Sequence, residues 1–139
     1  MGTAYCFDYQ DGVNALMYCR RAGSGVQVRV LLDEGQQKKP SSKQQPARVR
    51  TLQEWGVQFR LFSPTGRGRH AVMHAKSWCI DGCTLIGGSP NFTSNGLECS
   101  EELMIVVECD SGDNLITSYL EWFENLWSVS RELPRDGDV

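Results

Sequence analysis

The sequence predicts an α/β domain in which a mixed sheet is flanked by helices. Three observations carry this reading. Twice a helix-period segment is followed by a strand-like run, first DGVNALMYCRRA then VQVRVLL, and later PARVRTLQEW then VQFRLF, the alternation that builds α/β units. Asp81-Gly82 joins two apolar runs, a strong signal for a two-residue antiparallel hairpin. A dense apolar helix pattern then follows the last strand-like run.

In residues 11–22, Val13, Leu16, Met17 and Cys19 recur at three- and four-residue steps, the period of an amphipathic helix, and Gly23 and Gly25 stop it. Residues 26–32 are rich in β-branched side chains and end at Asp33, as a buried strand does. Residues 34–46 (EGQQKKPSSKQQP) are polar and without period, which predicts a flexible loop that adds nothing to the core. Pro46 suits a first helical turn, Val49, Leu52 and Trp55 follow at helical spacing, and Gly56 ends that helix. Residues 57–62 alternate as a strand. After a Gly/Arg-rich loop, residues 72–80 and 83–87 read as the two arms of the hairpin, residues 103–108 as a further strand and residues 115–129 as a helix. Eight apolar residues in that helix, from Leu115 to Trp127, predict broad packing against the sheet. Residues 1–130 are read as one domain and residues 131–139 as a disordered tail.

A length of 139 residues suits a single domain with a real core. With 40% hydrophobic and 22% charged residues the composition is that of a soluble protein. No apolar run approaches the roughly 20 residues of a membrane span, and MGTAYCFDYQDG lacks the regions of a signal peptide. The expectation is a soluble intracellular protein with no transmembrane segment. The six cysteines fall mostly in predicted strands and helices, and with no C-x2-C pair and only two histidines they read as reduced thiols, not zinc ligands. The net charge of −3 hides a segregation: residues 1–76 carry 12 Lys/Arg against 5 Asp/Glu, residues 77–139 carry 2 against 12. Such polarity suggests an anionic ligand.

The chemistry is concentrated in MHAKSWCIDGCTLIGGSPN, residues 73–91. On an extended strand residues i and i+2 share a face, so His74 and Lys76 project side by side, ~6–7 Å apart. Downstream, Gly87, Gly88 and Ser89 remove bulk so that a ligand can approach the backbone, and Asn91 supplies an amide donor. This is equipment for gripping and attacking a phosphate. Each piece alone is ordinary, since most H-x-K pairs sit on surfaces, most Asp-Gly pairs are turns, and most Gly-Gly-Ser clusters are loops.

Taken together, the spacing is His, one residue, Lys, four residues, Asp, six residues, Gly-Ser, one residue, Asn. It stands complete as His74, Lys76, Asp81, Gly88, Ser89 and Asn91. This string resembles the signature of the phospholipase D superfamily in its single-motif branch. The chain is similar there to mitochondrial cardiolipin hydrolases, also described as piRNA-type endonucleases, and to bacterial single-motif nucleases. The likeness runs from about Ala4 to Trp127.

The resemblance implies a metal-independent phosphodiesterase that needs no cofactor. Nε2 of His74 would attack phosphorus to give a phosphohistidine, with Glu102 in CSEELMIV holding the ring through Nδ1. Lys76 and Asn91 would bind the non-bridging oxygens, Gly88 and Ser89 would support the phosphate, and Asp81 would be chiefly a structural member of the motif. The implied substrate is nucleic acid or an anionic phospholipid such as cardiolipin. Arg67 and Arg69, with Lys38, Lys39 and Lys43, suit either a nucleic-acid backbone or a lipid headgroup, and solvated loop charges are the plain alternative. A second group must protonate the leaving oxygen, and relatives use a second motif for this, so a single-motif chain is expected to form a homodimer with a shared site. His70, if it continued the strand of His74, would lie about 13 Å away on the same side and could not fill that role. The other class of reading is a catalytically inactive module that binds nucleic acid or a protein partner. Pro90 and Ser100 depart from the family's pattern, and the chain is expected to lack the family's first strand and helix, leaving a sheet edge or groove wall open. Mitochondrial association is implied by the resemblance alone.

Overall fold

The computed structural model describes residues 1–21, 24–64 and 71–134. Two parallel-strand units come first: β1 (Gly2–Ala4), β2 (Phe7–Asp8), α1 (Gln10–Cys19), β3 (Arg29–Asp33), α2 (Glu34–Lys38), α3 (Gln45–Glu54) and β4 (Gln58–Phe62). An antiparallel ribbon follows: β5 (Ser77–Ile80), β6 (Thr84–Gly88), β7 (Phe92–Thr93), a π-helical turn at Asn95–Cys99 and β8 (Met104–Glu108). The helix α4 (Asn114–Val129) and β9 (Arg131–Glu132) come last. Seven strands form one sheet in the order β8-β6-β5-β1-β3-β4-β9, and β2 pairs with β7 beside it. β1, β3 and β4 run parallel, whereas β5 is antiparallel to β1, β6 to β5 and β8 to β6. This is the mixed α/β fold that the sequence predicts.

Strand alternation sorts the core into two layers. Val30, Leu32, Phe59 and Leu61 face α1 and α3, where they meet Val13, Val49 and Leu52. Leu31 and Cys79 point the other way, onto Ile116, Tyr119 and Phe123 of α4. Full burial of each of these aliphatic or aromatic side chains contributes roughly 1.5–3 kcal/mol, so both faces of the central strands are fixed and their register with them. The hairpin between β5 and β6 turns through Asp81 and Gly82, with φ of 51° and 69°. Two successive positive φ values are the signature of a type I′ turn.

Three expectations need correction. Residues 34–46 are not a structureless loop: Asp33 caps α2 by accepting from the Gln36 amide, and α3 begins at Gln45. The Gln45 side chain is fully buried, its Oε1 accepting from Phe7 N at 2.9 Å and its Nε2 donating to Gln37. Polar residues here serve as internal hydrogen-bond partners, which polarity alone does not reveal. The tail is not wholly irregular either, because Arg131 and Glu132 pair with Leu61 and Arg60. Residues 72–80 are not one strand, since β5 begins only at Ser77. Pairing with β1 and with β6 both stop at Ser77, and beyond it only the Lys76 carbonyl is still held across the strands, by the Gly88 amide. The chain's own first strand, Gly2–Ala4, lies in the middle of the sheet, between β3 and β5.

Candidate active site

The alternation of strand directions decides where the motif residues go. The carboxyl ends of β1, β3, β4 and β6 and the amino ends of β5 and β8 share one edge of the sheet. Tyr5, Asp33, the segment 89–91, His74 with Lys76, and Glu102 therefore converge there. Asp81 does not, because it turns the hairpin at the far end of β5. Its place in the motif is that of a turn residue.

His74 and Lys76 stand next to each other on the irregular segment before β5. The imidazole is exposed, whereas Lys76 is only 8% exposed, a buried cation beside an accessible ring. Lys76 Nζ lies 3.0 Å from Nδ1 of His74 and 3.1 Å from Nε2. The lone pairs of the two ring nitrogens point apart, so an ammonium nearly equidistant from both is aligned with neither. Its effect is chiefly electrostatic. Loss of hydration, and then the Lys76 charge, push the His74 pKa below its usual value, while Asp33 pulls it up. Burial likewise lowers the Lys76 pKa, with Glu102 opposing it. Tyr5 closes the other side: its ring meets the imidazole edge-on at 4.7 Å between centroids, and Lys76 Nζ lies 5.9 Å from the Tyr5 centroid.

The β6 and β8 side supplies the remaining groups. Gly88 ends β6 with its amide on the Lys76 carbonyl at 3.2 Å, and a Cβ there would collide with the Leu103 carbonyl. Ser89 N donates to that carbonyl at 3.0 Å, and Ser89 Oγ accepts from Leu103 N at 3.1 Å while donating to the Glu102 carboxylate. Glu102 is thus bonded to Ser89, not to the His74 ring as the resemblance implies. Asn91 lies partly buried, and its Oδ1 has no hydrogen-bond partner among the described residues. Pro90 takes no part in these bonds, having no N–H to donate.

Lys38, Lys39 and Lys43 are exposed on the segment that follows β3 at this edge, Lys38 paired with Glu34. Arg67, Arg69 and His70 lie outside the described residues. Part of the basic half of the sequence is spent internally, Arg29 on Glu124 and Arg48 on Asp8. A cleft of about 450 Å³ on the α1 face of the antiparallel ribbon, lined by Phe7, Tyr9, Trp78, Ile86, Phe92 and Met104, contains none of His74, Lys76, Asn91 or Glu102. Sequence reasoning missed Tyr5 and Gln36, whose side-chain amide donates to Tyr5 OH, for which no signal existed, and a second use of Asp33, whose Oδ2 accepts from Met73 N.

Residues 2–127 match the family described as cardiolipin synthase, PLD-like domain. The chain belongs to this family of phospholipase D-like domains. Among solved structures it is similar to Nuc, a phospholipase D family member from Salmonella typhimurium, at 24% identity and a TM-score of 0.80, over 95% of this chain and 79% of that one. It is also similar to NucT from Helicobacter pylori, at 18% identity and a TM-score of 0.71, over 95% and 80% of the two chains. TrmBL2, an archaeal chromatin protein with a novel mode of DNA binding, shares 9% identity at a TM-score of 0.58, over 95% and 44%. No curated protein matches the chain. At these identities the structural likeness is one of fold. No helix among the described residues is long and apolar enough to cross a membrane.

Proposed function

We propose that the chain is a metal-independent phosphodiester hydrolase acting on nucleic acid or an anionic phospholipid through a phosphohistidine at His74. The observation that carries this reading is the exposed imidazole of His74 beside the buried ammonium of Lys76, at a sheet edge shared with Ser89, Asn91 and Glu102. An imidazole nitrogen attacks phosphorus, the bond to one ester oxygen breaks, and that oxygen leaves with a proton as an alcohol. Water then cleaves the P–N bond, releasing the phosphomonoester and restoring the ring. Lys76 and the Asn91 amide neutralise charge on the equatorial oxygens, whose share grows in the transition state. Because Lys76 carries that charge, activity is expected to survive EDTA.

The leaving oxygen needs a proton from the side opposite the nucleophile. His74 of a second copy fills that role in a homodimer with a shared site. What supports this is the edge strand β8, just after Glu102, whose Ile105 and Val106 are 55% and 57% exposed. A DNA-binding module without turnover is the second reading, favoured by the fold shared with TrmBL2.

The test offers the protein labelled single-stranded DNA, RNA and cardiolipin vesicles under single-turnover conditions with EDTA present. One substrate is expected to leave an alkali-stable, acid-labile label on the wild type and none on His74→Ala. Turnover by His74→Ala, or loss of activity to EDTA with recovery on adding magnesium, overturns the mechanism. Binding of DNA without turnover of any substrate selects the second reading.

A further inference from the structure

The segment that carries His74 has no strand ladder to hold it, since β5 starts at Ser77. Something else must set the imidazole in place. Asp33, at the end of β3, is a carboxylate only 3% exposed. Its Oδ1 accepts from the Gln36 amide at 2.9 Å, starting α2. Its Oδ2 accepts from the amide of Met73, the residue before His74, at 2.8 Å, across 40 positions of sequence. The turn that Asp33 starts also places Gln36, whose side-chain amide donates to Tyr5 OH at 2.9 Å. The Oε1 of Gln36 is held in turn by Ser41 N and Oγ at 3.0 and 2.7 Å. Tyr5 is the ring packed edge-on against His74.

Building on the reading of His74 as nucleophile, we propose that Asp33 is its positioning residue. One carboxylate oxygen fixes the backbone that carries His74, and the other starts the helix that holds Tyr5 against the ring. A single buried carboxylate thereby sets two of the contacts that aim the imidazole. Glu102 hydrogen-bonds Ser89 and not the His74 ring or its backbone. The charged and titratable groups facing His74 and Lys76 are Lys76 itself, Asp33, Tyr5 and, through Lys76, Glu102. Among them Asp33 is the one that favours the cationic ring, the state that a phosphohistidine develops.

The tests separate this role from ordinary helix capping. Asp113 likewise caps a helix, accepting from Leu115 N at 2.8 Å, and it follows the carboxyl end of β8, at the edge of the sheet opposite the site, so Asp113→Ala is the capping control. In Asp33→Asn, kcat is expected to fall roughly 10- to 100-fold with KM held within about threefold, while Asp113→Ala keeps its kcat. By NMR, the His74 imidazole, assigned with His74→Gln, is expected to titrate at lower pH in Asp33→Asn than in the wild type, because the charge that favours its cation is gone. Asp33→Glu, which restores the charge, is expected to recover most of that shift. The wild type supplies a readout should the variants fold poorly. Its Met73 amide is expected to exchange with solvent at least about tenfold more slowly than those of Val72 and His74, neither of which donates to a described residue. An unchanged His74 titration in folded Asp33→Asn, or a Met73 amide exchanging as fast as its neighbours, overturns the proposal. Both physical readouts are independent of turnover, so a protein that hydrolyses no diester would refute the functional reading and still leave this one judged.

Discussion

At His74 two effects outweigh a third: lost hydration and the Lys76 charge both favour the neutral ring, and Asp33 opposes them. The neutral ring is the nucleophile, so protonation abolishes attack. The acid limb of kcat/KM is therefore expected below pH 6.5, the ordinary imidazole value, and a pH–rate profile with its limb above that value would contradict the arrangement. The same shift bears on stability. Since the folded state disfavours the cation, stability is unaffected by this group above pH 6.5 and declines as pH falls from there towards the lowered pKa. Gly88 gives a second prediction. An added methyl must push β8 off β6, because it meets the Leu103 carbonyl and, at 2.9 Å, Met104 Cα. Gly88→Ala is expected to cost about 1–3 kcal/mol, read as a lower urea midpoint with unchanged m-value. Residue by residue, His74, Lys76, Ser89 and Glu102 were legible because their spacing in sequence survives in space. Asp33 and Tyr5 were not, because what they touch is decided by parallel and antiparallel pairings that bring distant segments to one edge.

Elements were legible in proportion to their length. The ten-residue helices, α4 and the five-residue strands declare their periods, whereas β1, β2, β7 and β9 span two or three residues and contain no period to read. Even where an element was expected, its face was less clear. In α4 the dense apolar pattern promised broad packing, but only Ile116, Tyr119 and Phe123 are buried, and Leu115 and Trp122 are exposed. Trp127 instead carries the guanidinium groups of Arg29 and Arg60, 5.3 and 5.0 Å from its ring centroid. The buried stripe also holds one polar chain: Tyr119 OH meets Ser77 Oγ at 3.1 Å, which meets Thr3 Oγ1 at 2.9 Å. Burial raises the Tyr119 pKa to about 12, so its hydroxyl stays protonated. Tyr119→Phe keeps the ring and leaves Ser77 paired with Thr3, so the expected loss is only about 1 kcal/mol, checked by thermal denaturation.

Across the whole molecule, β8 is out of keeping with its position. The run LMIVV reads as a strand covered on both faces, yet it sits at the sheet edge with Leu103, Met104, Ile105 and Val106 exposed by 67%, 43%, 55% and 57%. If a second copy covers it and completes the site, Ile105→Lys is expected to give a folded monomer by sedimentation with activity reduced at least about tenfold. Mixing wild type with excess His74→Ala under subunit exchange is expected to give a dominant loss of activity per wild-type chain. Full activity in a proven monomer would defeat the shared site.

The position of β1 in the sheet also has a bearing on how the chain folds. Gly2 pairs with Val30 on one side and with Trp78 on the other. At about 5–20 residues per second a ribosome delivers the second partner roughly 2–10 s after the first. Over that interval the parallel half, with α1 and α3 to cover one face, presents β1 as one of its two open edges, available to a stray strand or a chaperone. Arrival of β5 ends that exposure, and the segment just before it brings His74 and Lys76 to Tyr5 and Asp33, so covering β1 and seating the imidazole segment on the Asp33 carboxylate are one event.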